Sequence, residues 1–438
     1  MNAAVNSLVP DAAVAAGLDR AVADFGLADT PPVAGASAMR RRRGYDAEEY
    51  SGLATLALVR EDGLLRWIYQ PPARGGSARR ARRAAANEIG AERVHAFSFR
   101  ELPSNEILQA FETLDAKLNQ NPGLRRLING QFVPVGNAKI AGRALLLVHG
   151  TFSKNEMYID EFSATPEGRA MLAKAQKKYD AILAFDHPTL AVSPWINALD
   201  LEAALAGVTA TLDVISHSRG GIVTAWWLRN GARKVENAIF VGAPMTGTSL
   251  ASPPKLRQAL DMMANTFRAL ELAGAAASTV APMMGGVAGL AKIVGGALRL
   301  GARTPLTDAG VAIVPGIAAV SRVANNAELD RLANSTWGSS PTVYTVLSNF
   351  EPAPNAAPWW QFWKHFRGLG SALLDTGADA IFKGENDLVV DTDAMTLLRG
   401  ARIPASRQLD FGTNGTVHHC NYFQQPRTIA LMERAFKL

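Results

Sequence analysis

From about residue 141 to residue 350 the chain alternates short, unbroken apolar runs with stretches long enough for a helix, and this alternation limits the available folds more than any other feature. The runs are ALLLVHG (144–150), AILAFDH (181–187), LDVISHS (212–218), NAIFVGAP (237–244) and TVYTVLSNF (342–350). A strand apolar on every residue, and not on alternate ones, needs cover on both faces. A parallel sheet between helical layers supplies that cover, so the expected class is α/β.

The rest of the chain divides by pattern. Residues 1–50 are rich in Ala, Pro and Arg without a sustained period and read as a flexible tail. Residues 51–140 read as a small α+β region: ATLALVR (54–60) and LLRWIYQ (64–70) form a hairpin, ERVHAFSF (92–99) is a further strand, and Ser104 caps a helix that Pro122 and Gly123 stop. Residues 141–438 form the α/β domain. Between Arg40 and Arg100 lie thirteen arginines, no lysine and seven acidic residues, which accounts for the whole net charge of +6. The basic character is therefore local, and without stacking aromatics among the arginines it does not point to nucleic acid. One cysteine, Cys420, excludes an internal disulfide framework and any multi-cysteine metal site. The acids Asp11, Asp19, Asp24 and Asp29 interrupt the N-terminal stretch, so no signal peptide is read there, and the expected compartment is the cytoplasm. The longest uncharged stretch, 272–291, contains Pro282 and the pair Gly285 and Gly286, which suits a helical hairpin better than a membrane span.

The segment LDVISHSRGGIVTAWWLRNG (212–231) carries the chemistry. Its strand turns at Ser218 into a helix that ends near Asn230 and Gly231. A serine at such an elbow is held in a strained conformation with its hydroxyl projecting from the carboxyl edge of the sheet. The residues two before and two after it must be small, because the strand and helix backbones nearly touch. Ser216 and Gly220 meet that need, and Gly221 keeps the helix close. An earlier run, LLLVHGTFS (145–153), ends in His-Gly. Attack on a carbonyl calls for two backbone N–H groups aimed at the developing oxyanion, one just after the nucleophile and one from the loop after an earlier strand. Arg219 and Thr151 are the candidates. Gly150 lets the chain turn close to the substrate, Phe152 is placed to face an acyl group, and His149 is expected to pack and hydrogen-bond within the loop.

Together with AFDHPTLAVSPWINALDL (184–201), VGAPMTGTSLA (241–251) and GENDLVV (384–390), these segments resemble the α/β-hydrolase superfamily, and more closely its bacterial lipase and esterase branch. The resemblance covers residues 141–438. It implies the α/β-hydrolase fold, a mostly parallel sheet with helices on both faces, and the almost hundred residues rich in Ala, Gly and Met between the fourth and fifth apolar runs fit a helical cap inserted at about 247–340. It also implies an acid on the loop after a late strand. Asp387 matches, while Asp391 and Asp393 lie close enough to compete but are expected to begin the next helix. The histidine follows a last strand, QLDF (408–411), where GTVHHCNYF offers His418 and His419. His419 is favoured, since the family pattern places an apolar pair three and four residues on, matched by Tyr422 and Phe423. The usual glycine two before the nucleophile is Ser216 here. The order Ser218, Asp387, His419 is the one this fold uses.

The implied activity is that of a serine carboxylesterase or lipase acting on small-molecule esters of apolar acyl or aromatic groups, with no metal or organic cofactor. The same residues suit an amidase, a thioesterase or an acyltransferase, and a member of the fold without turnover would serve membrane or partner binding. Cys420 is expected to be a buried bystander. Within the insert Met262, Met263, Met283 and Met284 offer an adaptable apolar surface, from which Met262 and Met283 are expected to contact substrate along with Phe152. The cap is expected to gate the site through its Gly pairs. PWWQFWKHF (358–366) suits a pocket wall or a membrane interface, so contact with a membrane surface would run through the cap or this insert. Nothing in the sequence sets an oligomeric state.

Overall fold

The computed structural model describes residues 54–61, 64–70, 92–99, 113, 115, 116, 119–231, 233–249, 315–322, 326–338, 340–351, 385–387 and 389–438. The chain divides into two compact units. The described part of the first is an antiparallel sheet of β1 (Ala54–Glu61), β2 (Leu64–Gln70) and β3 (Glu92–Phe99) in the order β2-β1-β3. The hairpin read from the sequence sets its register, with Leu58 opposite Trp67.

The second unit comprises Asp115–Ser252, Val314–Pro354 and Asp379–Leu438. It opens with the strands β4 (Gly123–Ile128), β5 (Gln131–Pro134) and β6 (Arg143–Val148). Helices α1 (Glu156–Ser163) and α2 (Pro166–Lys178) lead to β7 (Ala181–Asp186), and α3 (Pro194–Ala204) leads to β8 (Thr211–His217). Next come α4 (Arg219–Asn230), β9 (Val235–Val241), the short α5 (Pro315–Ala318) and α6 (Ala327–Ala333), and then β10 (Thr342–Phe350). A small hairpin of β11 (Leu397–Leu398) and β12 (Ala401–Arg402), then β13 (Gln408–Asn414) and α7 (Pro426–Phe436), complete it.

Eight of these strands form one sheet in the order β13-β10-β9-β8-β6-β7-β4-β5. The pairings from β7 through β13 are parallel, while β4 runs antiparallel to both its neighbours. This is the α/β-hydrolase fold. The continuous apolar runs are explained by two-sided cover: β7 is buried at every residue, and β6 and β8 at every residue but the first. Alternation then sorts the two faces. Ile239 and Val241 share a core with Tyr158 and Phe162 of α1, Met171 of α2 and Met432 of α7. Phe240, between them, points the other way, toward Gly221 of α4.

The expected domain start at residue 141 is too late. Gly123–Ile128 and Gln131–Pro134 pair into the large sheet, and the unit begins at Asp115. A hairpin around Asn129 and Gly130, both at positive φ (50° and 80°), turns the two strands back on each other. The tail 1–50, most of the insert at about 247–340, including Met262 and Met283, and the Trp-rich 358–366 lie outside the described residues. Among the described residues no helix is long and apolar enough to cross a membrane.

Candidate active site

Parallel pairing sets the carboxyl ends of β6, β8 and β9 side by side, with Val148 beside Ser216 and His217 beside Val241. At that edge Ser218 joins β8 directly to α4 with φ 54° and ψ −130°. Few residues other than glycine adopt such a conformation, and it persists only where the surroundings over-determine it. Here they do. The Ser218 N–H donates to Val241 O at 2.9 Å, and the Gly221 N–H donates to Ser218 O at 2.9 Å. A Cβ on Gly220 would sit 2.3 Å from Val148 O and 2.4 Å from His149 O, so α4 approaches β6 more closely than any side chain at that position would allow. Ser216, two residues before the elbow, is buried and small enough to fit.

Two further side chains come together on the neighbouring loops. His419 Nδ1 lies 2.8 Å from Asp387 Oδ2. A carboxylate acceptor there fixes the proton on Nδ1 and leaves the Nε2 lone pair free for another group. Asp387 is fully buried. Its Oδ1 accepts from the Val389 and Val390 N–H groups at 3.1 and 2.8 Å, and its Oδ2 also accepts from the Tyr422 hydroxyl at 2.9 Å. The histidine is held from below as well: His217, the residue before Ser218, has its Nε2 2.9 Å from His419 O, and the two rings stand 4.7 Å apart. A Cβ on Gly242, just past β9, would lie 3.1 Å from His419 Nδ1, which puts the ring at the edge where Val241 meets Ser218. Among the described residues no hydrogen bond joins Ser218 Oγ to His419 Nε2.

The competing candidates have other partners. His418 packs edge-on against Phe350 at 5.7 Å, and its Nδ1 accepts from the Cys420 N–H. Asp391 accepts from Ser249 N and Oγ at 2.8 and 2.9 Å, and Asp393 is paired with Arg322 at 2.6 Å. That guanidinium holds the Asp393 carboxyl below the usual range, whereas burial raises Asp391. Both lie at the 3₁₀ turn Thr392–Met395 and not against the histidine. Burial also raises the Cys420 thiol well above its ordinary value, so it carries no thiolate at neutral pH.

On the other side of Ser218 stands the loop after β6. A Cβ on Gly150 would lie 2.7 Å from Ser218 Cβ, so Thr151 follows directly on a backbone pressed against the serine. Phe152 is buried, with φ 55°, and its N–H donates to Thr189 Oγ1 at 3.4 Å. His149 has its Nδ1 2.9 Å from Gly150 O within its own loop, and it also reaches the end of β7, where its ring stacks on His187 at 4.2 Å and its Nε2 is 3.0 Å from Asp186. Arg219 opens α4 with its N–H on the first helical turn, where no carbonyl one turn earlier is available to it. Sequence reasoning missed the Tyr422 hydroxyl and the buried Asp115 described below. A tyrosine three residues after the histidine was a visible signal for the first, and no local pattern marks the second. Among the described residues there is no group of three or more side chains placed to hold a metal ion.

Burial pushes His217 down to about 3. In the unfolded chain it takes up a proton near pH 6.5, so between these values the unfolded state binds more protons than the folded one. Stability therefore rises with pH through that window and is lost as pH falls, by at most about 1.4 kcal/mol per pH unit from this group. His187, also held low by burial, acts with the same sign. Urea midpoints are expected to be clearly lower at pH 4.5 than at pH 7, with the gap reduced in His217→Gln. Equal midpoints in the parent chain would contradict the burial of these rings as neutral groups.

A family model described as a domain of unknown function (DUF7379) matches residues 127–437. No curated protein matches the sequence. Among solved structures, the mature lipase BlEst2 of Bacillus licheniformis is 18% identical, with 71% of this chain and 99% of that one covered and a TM-score of 0.37. A probable hydrolytic enzyme of Pseudomonas aeruginosa PAO1 is 17% identical over 71% of this chain and 94% of its own, with a TM-score of 0.38. A thermophilic esterase of Thermogutta terrifontis is 16% identical over 68% and 91%, with a TM-score of 0.35. The strand order, and not these likenesses, carries the fold.

Proposed function

The chain belongs to the DUF7379 family, a domain of unknown function, and from its own site we propose that it is a serine hydrolase cleaving carboxylic esters of apolar acyl or aromatic groups. The observation that supports this best is the strained serine elbow at residue 218 on the same sheet edge as a buried histidine–carboxylate pair. In this reading Ser218 Oγ attacks the ester carbonyl while His419 Nε2 takes its proton. Asp387 holds the ring in the required tautomer and stabilises the imidazolium that forms. The negative charge on the carbonyl oxygen rests on the Thr151 and Arg219 N–H groups. His419 then gives its proton to the leaving alcohol. Water, deprotonated by the same histidine, attacks the acyl-enzyme carbonyl, and the histidine returns that proton to Ser218 Oγ as the acid leaves. Phe152 is assigned to acyl contact from its place beside Thr151, and Met262 and Met283 from the sequence pattern.

The test is a fluorophosphonate probe with peptide mapping, followed by p-nitrophenyl acetate, butyrate and octanoate beside the matched anilides and thioesters. The expected result is a label on Ser218 and faster turnover of the esters than of the anilides. Preferred turnover of anilide or thioester would move the assignment to an amidase or thioesterase. No label and no turnover on any of them would overturn the reading.

A further inference from the structure

Arg219 places its charge where charge is expensive. It is 1% exposed, and among the described residues no carboxylate pairs with its guanidinium at ion-pair distance. Nη2 donates to Val192 O and, at 2.8 Å, to Asn197 Oδ1, while among the described residues Nε and Nη1 have no hydrogen-bond partner. Burial lowers its pKa only to about 10, so it remains a cation at neutral pH, with Asp115 and Glu328 acting on it through space. A buried cation with unsatisfied donors costs several kcal/mol, and an apolar side chain of similar size would commonly be neutral or better for stability.

Asp115 holds the same stretch of chain from another side. Its carboxylate, 3% exposed, accepts from three consecutive N–H groups, those of Thr189, Leu190 and Ala191. The loop so gripped, residues 187–193, is tied in turn to the segment that carries Thr151. Thr189 Oγ1 accepts from the Phe152 N–H at 3.4 Å, and the His187 N–H donates to His149 Nε2 at 3.2 Å. Thr151 lies between those two attachment points. One loop thus connects both candidate oxyanion donors: the Thr151 side through Thr189 and His187, and the Arg219 side through the guanidinium on Val192.

We propose that the Arg219 and Asp115 side chains are positioning residues for the oxyanion hole, acting through the 187–193 loop that both of them hold. The proposal rests on the serine-hydrolase reading. It accounts for the retained cation. The residue whose N–H would meet the oxyanion also anchors, through its side chain, the loop that holds the opposing donor, so the spacing between the two donors is set by one connected set of hydrogen bonds. A displacement of about 1 Å in such a donor is enough to cost on the order of 10²-fold in rate.

The experiment compares the full-length parent with Asp115→Asn and Arg219→Met on p-nitrophenyl butyrate, with active sites counted by end-point fluorophosphonate labelling. The expected result is a fall of roughly 10–100-fold in kcat per labelled site, with KM changed less than about threefold. A purely structural role would lower Tm and the labelled fraction while each labelled site kept the parent kcat, and that result overturns the proposal. Should either variant fail to fold, Thr189→Val replaces the hydroxyl that accepts from the Phe152 N–H with a methyl group of similar size. It is expected to lower kcat several-fold, and an unchanged kcat in it also overturns the proposal. A parent that neither labels nor turns over refutes the serine-hydrolase reading and this inference together. An active parent whose variants match it refutes this inference alone.

Discussion

Ser218→Ala is expected to lower kcat/KM toward p-nitrophenyl esters by roughly 10⁴–10⁶-fold while leaving the fold and Tm essentially unchanged. The hydroxyl oxygen is the only heavy atom removed, and the position stays compatible with a Cβ, because the parent residue already carries one at φ 54°. The residual rate would come from the oxyanion donors and substrate binding alone. Fluorophosphonate labelling should vanish with activity. Retained hydrolysis in the alanine variant would mean that another nucleophile does the chemistry, and the assignment would fail whatever the state of the fold.

The adjacent histidines should separate just as sharply. His419→Ala is expected to cost about 10⁴-fold or more in kcat, and Asp387→Asn about 10⁴-fold through loss of the correct tautomer. His418→Ala should stay within about tenfold of the parent, because that ring packs on Phe350 and serves the Cys420 N–H instead of Asp387. Steady-state kinetics on one ester, with circular dichroism to check folding, distinguishes the three. A larger loss at His418 than at His419 would exchange their roles.

Much of the fold was legible because its strands are buried on both faces. Such strands appear in a sequence as apolar runs with definite ends, and TVYTVLSNF, for example, coincides with β10 (Thr342–Phe350). The elbow was legible for a related reason: close backbone approach leaves small residues at fixed offsets, and Ser216, Gly220 and Gly221 are such residues. The hairpin of β4 and β5 was not read, although Asn129-Gly130 is a strong turn signal. It lies at the sheet edge, where Arg125 and Arg126 are tolerated and the apolar run is broken. Asp115 left no trace because its partners are backbone N–H groups more than seventy residues away, and backbone carries no sequence signal. The Arg219 side chain leaves no signal of its own, because its partners Val192 O and Asn197 lie on a distant segment, just before and within α3. Between His418 and His419 the sequence could only weigh spacing, whereas in the structure it is His419 whose Nδ1 lies 2.8 Å from Asp387 Oδ2.

The His217–His419 contact has a consequence for the order in which the molecule assembles. It joins residues 202 positions apart, between a central strand and a loop near the end of the chain. Closing so long a loop carries an entropic cost that is recovered only when the intervening strands and helices have already docked, so contacts of this separation form late. The serine elbow is therefore expected to take shape once β8, β6 and α4 meet, and the histidine with its carboxylate to reach it only after the last third of the unit has docked. During refolding, a serine-directed probe would therefore time the final step of assembly, lagging behind the recovery of helix and sheet. Newly made chains would then pass through a well-structured state before Ser218 and the His419–Asp387 pair come together.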